Sequence, residues 1–246
     1  CTLLNNGLKM PWLGFGVHRV NDGQDVEQAV RTALEIGYRS FDTATVYGNE
    51  RGVGKTIRES GIPREDIFIT TKVWNDDQRE NRTLDAFEES LHRLDTDYVD
   101  LYLVHWPVKD HFRETWYVME EIYQSGRARA IGVSNFMVHH LEIVLTDCQI
   151  VPAVNQIEFH PFLVQPELLG FCQEHKIQVE AWAPLMLGQI VTEKPIQKLA
   201  EKYKKTPAQI ALRWDLQHGV VTIPKSTHVD RIAENAQIFD FELSQV

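Results

Sequence analysis

The sequence predicts an α/β fold, a (β/α)8 TIM barrel with a short N-terminal β-hairpin, and three observations carry that expectation. Apolar, strand-like stretches alternate with helix-periodic segments eight times along the 246 residues. The strand stretches are four to seven residues long, the size barrels use. No low-complexity linker or break in composition divides the chain, so residues 1–246 are expected to form one domain. A length of about 250 residues suits one such barrel. An open doubly wound sheet satisfies the same alternation and stays as the alternative.

The elements follow in order. Residues 1–10 read as a hairpin turning at Asn5-Asn6-Gly7. The expected strands are Trp12–Gly16, Ser40–Ala44, Ile67–Val73, Val99–His105, Ala128–Ser134, Ala153–Glu158, Gln178–Ala181 and Val221–Pro224. Between the first two, Val26, Ala29, Val30 and Ala33 share one helix face, and Gly37 is placed to stop that helix. Leu84, Phe87, Leu91 and Leu94 share another face by the same spacing. The clearest helix start is Thr206-Pro207-Ala208-Gln209, with Thr206 as N-cap, Pro207 first in the helix and Gln209 closing a capping box. That helix should run to Gln217 and stop at Gly219.

Composition narrows the class. With 43% hydrophobic and 24% charged residues the chain reads as globular. No apolar run of about 18 residues is present, so no membrane span is expected. No basic segment followed by an apolar run marks a signal peptide. Cys1, Cys148 and Cys172 have no paired spacing and read as reduced thiols, which fits a cytoplasmic protein. The net charge of -10 argues against nucleic acid. Any anionic ligand must therefore meet a local basic cluster. Charges are mixed without a large apolar patch, so a monomer is expected. The chain opens at Cys1 rather than Met, which leaves room for an upstream segment.

Several motifs are decoys. Gly52-Val53-Gly54-Lys55-Thr56 ends like a P-loop, but Asn49 stands where its first glycine belongs. Glycines that let a helix pack closely explain it better. Gly14-Phe15-Gly16 lacks the third glycine of a dinucleotide fingerprint. His139-His140 and the His105/His111 pair have no third ligand at useful spacing, so no metal is expected.

Four polar residues stand out instead. Asp42, Lys72 and His105 fall at the carboxyl ends of successive expected strands, and Tyr47 lies in the loop after Asp42. Barrel chemistry resides at those ends. Each residue alone has a structural explanation: a surface tyrosine, an ion pair, a core histidine. Together they match the needs of a carbonyl becoming an alcohol. A phenol with a pKa of about 10 is a reluctant proton donor. A nearby ammonium favours the phenolate, and a carboxylate holds that ammonium. A neutral imidazole can orient the carbonyl oxygen.

With these residues in view, the chain resembles the aldo-keto reductase family along nearly its whole length. The resemblance rests on Phe41-Asp42-Thr43-Ala44-x-x-Tyr47-Gly48-x-Glu50, Thr71-Lys72-Val73-Trp74 and Leu103-Val104-His105-Trp106-Pro107. It continues through Ile131-Gly132-Val133-Ser134-Asn135-Phe136, Asn155-Gln156-Ile157-Glu158-x-His160-Pro161 and Ile223-Pro224-Lys225-Ser226. Glu180-Ala181-Trp182-Ala183-Pro184-Leu185 and the short loop after Trp106 resemble the microbial diketogluconate-reductase and prostaglandin-F-synthase-like branch.

The resemblance implies NADPH (NADP+ after turnover) bound on a barrel without a Rossmann domain, and reduction of small aldehydes or ketones. Candidate substrates are sugar-derived ketoacids, dicarbonyls and aromatic aldehydes. It implies Tyr47 as proton donor, Lys72 and Asp42 as its tuners, and His105 as the residue orienting substrate. Ser134, Asn135 and Gln156 would hold the nicotinamide carboxamide, Trp182 would stack on the ring, and Leu185 with the loop to Gln189 would cover the pyrophosphate. Lys225, Ser226 and Arg231 would surround the 2′-phosphate, and Glu234 and Asn235 would reach the adenine. His18, Val46, Trp74 and Trp106 would line the substrate pocket.

The sequence departs from animal members at Val17, His18, Trp182, Ala183 and His228, which bears on substrate preference and cofactor grip. Relatives continue past the equivalent of Val246 into a helix and a tail, so a missing tail is expected here. A cofactor-binding protein of structural or regulatory role on the same fold is the alternative function. It would not require Tyr47.

Overall fold

The computed structural model describes residues 1–244; the last two residues of the expected domain lie outside them. An antiparallel hairpin, β1 (Thr2–Leu3) and β2 (Lys9–Met10), opens the chain. Its turn falls at Asn5-Asn6-Gly7, as expected. Gly7 takes φ 86°, and the Asn6 side-chain oxygen accepts from Leu8 N at 3.1 Å.

The barrel strands are β3 (Phe15–Gly16), β4 (Ser40–Asp42), β5 (Phe68–Val73), β6 (Leu101–Val104), β7 (Ile131–Ser134), β8 (Val154–Glu158), β9 (Gln178–Trp182) and β10 (Val221–Thr222). All neighbours pair in parallel, and their spatial order is their order in the chain. The first and last strands meet. Gly14 N donates to Thr222 O at 2.9 Å, Thr222 N to Trp12 O at 3.1 Å and Gly16 N to Pro224 O at 3.1 Å. The sheet therefore closes, which rules out the open alternative. Most paired stretches are shorter than the expected strands, because tilted strands bond only where neighbours overlap.

In chain order the helices are α1 (Gln24–Ile36), α2 (Glu50–Glu59), α3 (Asn75–Arg79), α4 (Thr83–Leu94), α5 (Phe112–Gln124), α6 (Val138–Asp147), α7 (Pro166–Glu174), α8 (Lys194–Tyr203), α9 (Pro207–Gln217) and α10 (Val229–Ala236). The short α3 and the whole of α8 are additions to the expected eight-unit pattern. Gly37 closes α1 at φ 114°. At α9, Thr206 Oγ1 accepts from Gln209 N at 3.3 Å, and Gln209 Oε1 accepts from Thr206 N at 3.0 Å. That capping box is the expected one. In α4, Phe87, Leu91 and Leu94 are buried but Leu84 is 43% exposed. The inner face of α4 is centred on Thr83, Ser90 and Leu94, and Leu84 lies at its margin. In α2, a Cβ on Gly54 would come within 2.0 Å of Leu94 O, so the glycine permits close packing against α4.

Side chains alternate across each strand, and two cores result. The outward set includes Phe41, Ile69, Tyr102, Ile131 and Val179, which pack under the helices. The inward set fills the lower barrel with Phe68, Leu101, Leu103, Ala130, Val154 and Val221. Leu4 and Met10 of the hairpin plug that end. Above this apolar layer the inward positions turn polar, with Asp42, Lys72, Gln156 and Glu180 all buried.

Candidate active site

Asp42 ends β4, Lys72 lies near the end of β5, and His105 directly follows β6, so all three face the carboxyl mouth of the barrel. Lys72 is fully buried. Its Nζ donates to Asp42 Oδ1 at 2.7 Å, Asp42 Oδ2 at 2.8 Å and Thr43 O at 2.9 Å. Tyr47 is carried by a 3-10 turn, Thr45–Tyr47, closed by Gly48 at φ 67°. Thr45 Oγ1 donates to Lys72 O at 3.0 Å, which ties this turn to β5. The Lys72 Nζ stands 5.1 Å from the centre of the Tyr47 ring.

Aromatic rings complete the cluster. His18 lies 4.8 Å from Tyr47, Tyr47 5.7 Å from His105, and Trp74 5.0 Å from His105, centre to centre. Val46 and Trp106 are among the exposed apolar side chains. Asn49 was visible in the sequence only as a misfit to a P-loop, yet it holds the site together. Fully buried, it accepts from Thr43 Oγ1 at 2.7 Å and donates to Val17 O and Val20 O, both at 2.9 Å. The loop bearing His18 is thereby fastened to the loop bearing Tyr47. In the sequence an asparagine before a helix reads as an ordinary cap candidate, and nothing there marks its burial.

Electrostatics fix the charge states. Burial works against the Lys72 ammonium, but Asp42, Tyr47 and Glu180 outweigh it and hold its pKa above the ordinary value. Burial, the Lys72 charge and His18 push His105 down to about 2, so its ring is neutral; its Nδ1 is buried without a partner. His18 is lowered too, by burial and by the charges of Arg19 and Lys72. Tyr47 differs from the simple expectation. Burial raises its pKa, and the counteracting charge of Lys72 does not fully offset that, since Asp42 opposes it. The phenol is thus firmly protonated at rest, and Lys72 favours the oxygen that remains once the proton leaves.

Glu180 was noticed in the sequence only as part of a branch signature. It is a buried carboxyl on β9 in an otherwise apolar stretch, a residue type rarely buried without a partner. Gln156 Nε2 donates to Glu180 Oε2 at 2.6 Å and to Asp42 Oδ2 at 2.8 Å. Burial, and Asp42 close by, push Glu180 up to about 8.

The expected cofactor contacts divide into two groups. Ser134, Asn135, Gln156 and Trp182 adjoin the cluster. Asn135, at φ 64°, donates through Nδ2 to His105 O at 3.0 Å and Ser134 Oγ at 3.1 Å, and accepts from Trp182 Nε1 at 2.8 Å. Its amide is therefore spent on protein partners. Ser134 Oγ donates to Gln156 O at 2.9 Å and keeps a free lone pair. What these side chains leave over is acceptors, Gln156 Oε1 and Ser134 Oγ, which fit the amino group of a carboxamide.

The second group lies on β10's loop and α10. Lys225 and Arg231 are exposed and, among the described residues, pair with no carboxylate. Ser226 is buried and its Oγ accepts from His228 N at 3.1 Å. The first turn of α10 offers open amide N–H groups beside them. This end fits a phosphate. Glu234 accepts from Thr206 Oγ1 at 2.7 Å, which ties α10 to α9, and Asn235 is buried. Leu185 precedes a loop with left-handed backbone at Met186, Leu187 and Gly188. No helix among the described residues is long and apolar enough to cross a membrane.

Residues 12–246 match the family model described as "Aldo/keto reductase family". The glyoxal reductase of Bacillus subtilis (strain 168) is 57% identical over 242 residues, covering 98% of this chain and 88% of that protein. The methylglyoxal reductase DkgA of Escherichia coli O157:H7 is 48% identical over 246 residues, again covering 98% and 88%. Among solved structures, an aldo/keto reductase from Brucella melitensis superposes with a TM-score of 0.94 at 48% identity, covering 99% of this chain and 94% of that one.

Proposed function

The chain belongs to the aldo/keto reductase family and is an oxidoreductase acting on carbonyl groups; from that premise we propose that it reduces small aldehydes and ketones with NADPH, dicarbonyls of the glyoxal and methylglyoxal kind foremost. One observation carries the reading. A protonated phenol, an ammonium pinned by a carboxylate and a neutral imidazole sit together at the mouth of a closed barrel.

When bound, reduced nicotinamide supplies the hydride. The chain's own residues do the rest. His105, neutral, donates to the carbonyl oxygen and turns it toward Tyr47. Tyr47 gives that oxygen its proton as negative charge develops there. Lys72 stabilises the phenolate left behind, and Asp42 keeps Lys72 charged and in place. Trp74 and His18 close the sides of the pocket and exclude water. Gln156 and Ser134 hold the carboxamide, Trp182 lies against the ring, and Leu185 with its loop covers the diphosphate. Lys225, Ser226 and Arg231 meet the 2′-phosphate, the group that separates NADPH from NADH. Glu234 and Asn235 flank the adenine. The whole is proposed to work as a single barrel domain.

The preference for dicarbonyls rests on the named activities of the similar proteins and on the polar wall that His18 adds beside the apolar side chains Val46, Trp74 and Trp106. A panel of glyoxal, methylglyoxal, ketoacids and aryl aldehydes, assayed with NADPH and NADH in parallel, tests it. Fastest turnover of the dicarbonyls with NADPH is expected. No consumption of either cofactor with any carbonyl would refute the reading.

A further inference from the structure

Ser134, Gln156 and Glu180 lie at one level on β7, β8 and β9, for Ser134 pairs with Gln156 and Gln156 with Glu180 in the strand register. Asp42 reaches the same level from β4, which is not a neighbour of β8 in the sheet. Gln156 is 2% exposed, and both hydrogens of its Nε2 are taken, one by Asp42 and one by Glu180. An amide side chain has nearly the same shape whichever way round it sits, so only its partners decide which end faces where. Two carboxyl oxygens on one side settle the matter. Reversed, the amide oxygen would face both of them and lose two buried hydrogen bonds.

We propose that Glu180 is a positioning residue for the cofactor: with Asp42 it clamps the Gln156 amide nitrogen and so presents Gln156 Oε1 to the amino group of the nicotinamide carboxamide. This rests on the nicotinamide-dependent reading given above and adds a residue to it. Asp42 alone would hold the amide by one hydrogen bond; Glu180 adds the second and raises the cost of reversal. The neighbouring groups agree. Asn135 has spent its amide on His105 O and Ser134 Oγ, so the carboxamide-facing wall consists of acceptors. A proton on Glu180 does not undo the clamp, since the neutral carboxyl still accepts through its carbonyl oxygen.

The test uses NADPH and its reduced 3-acetylpyridine analogue, in which a methyl group replaces the carboxamide nitrogen. Both are titrated against the cofactor-free protein by quenching of its intrinsic fluorescence. The wild type is expected to prefer NADPH. Glu180→Leu should cut that preference about fivefold, the worth of one well-placed hydrogen bond, by weakening NADPH and leaving the analogue unchanged. Glu180→Gln keeps an acceptor for Gln156 Nε2 and should keep the preference. An unaltered preference in Glu180→Leu, or an equal loss of both ligands, would overturn the proposal. Should Glu180→Leu not fold, side-chain amide exchange decides on the wild type. The Gln156 NH2 protons should exchange with D2O far more slowly than those of exposed glutamines, and rapid exchange would overturn the clamp. Failure of the wild type to bind either nucleotide would instead refute the cofactor reading, while the exchange measurement would still judge the clamp.

Discussion

Lys72 and Asp42 at the barrel axis are buried and bonded to each other, whereas Lys225 and Arg231 at the rim are exposed and, among the described residues, pair with no carboxylate. In the proposed reading both regions use basic side chains to meet an anion, a phenolate in one and a phosphate in the other. The axial lysine is held before any ligand arrives, since burying a lone ammonium is costly and Asp42 must accompany it. The rim cations are solvated and need no built-in partner, because water stabilises them until the proposed phosphate replaces it. Changes at the axis should therefore affect folding and chemistry together. Changes at the rim should affect binding alone.

The largest effect is expected from Lys72→Met. It leaves the Asp42 carboxylate buried without its partner, at a cost of about 3–5 kcal/mol of stability. Turnover should fall about 10²–10⁴-fold, the range of a lost proton-transfer arrangement. Urea unfolding and single-turnover assays would show both, and unaltered stability would break the contrast. Next in size is the rim. Lys225→Ala with Arg231→Ala should weaken NADPH by about tenfold or more and leave NADH binding and the urea midpoint unchanged. Equal weakening of the two nucleotides would break the assignment of the 2′-phosphate.

A smaller effect sharpens the picture of the axis. Glu180 in the fold is raised from 4.5 to about 8 by burial and Asp42. The native state then binds more protons than the unfolded one, so stability falls as pH rises from about 4.5 to 8 and levels off above that. Glu180→Gln should flatten this part of the stability curve. A parallel curve for the two proteins would contradict the assignment. Smallest of all, His105 stays neutral down to about 2. The pH profile of kcat/KM should show no inflection from it near 6.5.

The same contrast explains what the sequence made legible. The axis could be read because barrel strands place a polar residue at a fixed end, and Asp42, Lys72 and His105 interrupt apolar stretches there. Strand–helix alternation likewise foretold the closed barrel, and Thr206 with Gln209 foretold the start of α9. Glu180 was overlooked because its proposed role depends on Gln156, 24 residues away in the sequence, and on Asp42, 114 residues from that glutamine. Asn49 was overlooked for the same reason, since it spans the β3 and β4 loops. The engagement of Asn135 by Trp182 and His105 is a matter of side-chain direction after the left-handed turn at Asn135. Leu84 was misplaced because equal spacing on a helix does not say where the buried arc ends. The Tyr47 pKa was expected to fall, and burial reversed it.

The central claim is that Tyr47 delivers the proton while Lys72 and Asp42 make it able to. Tyr47→Phe tests it most directly, with NADPH binding followed by fluorescence and turnover of methylglyoxal by loss of the reduced-nicotinamide absorbance. Unchanged NADPH affinity with turnover reduced about 10²–10⁴-fold is the expected result. Turnover near the wild-type rate would contradict the account.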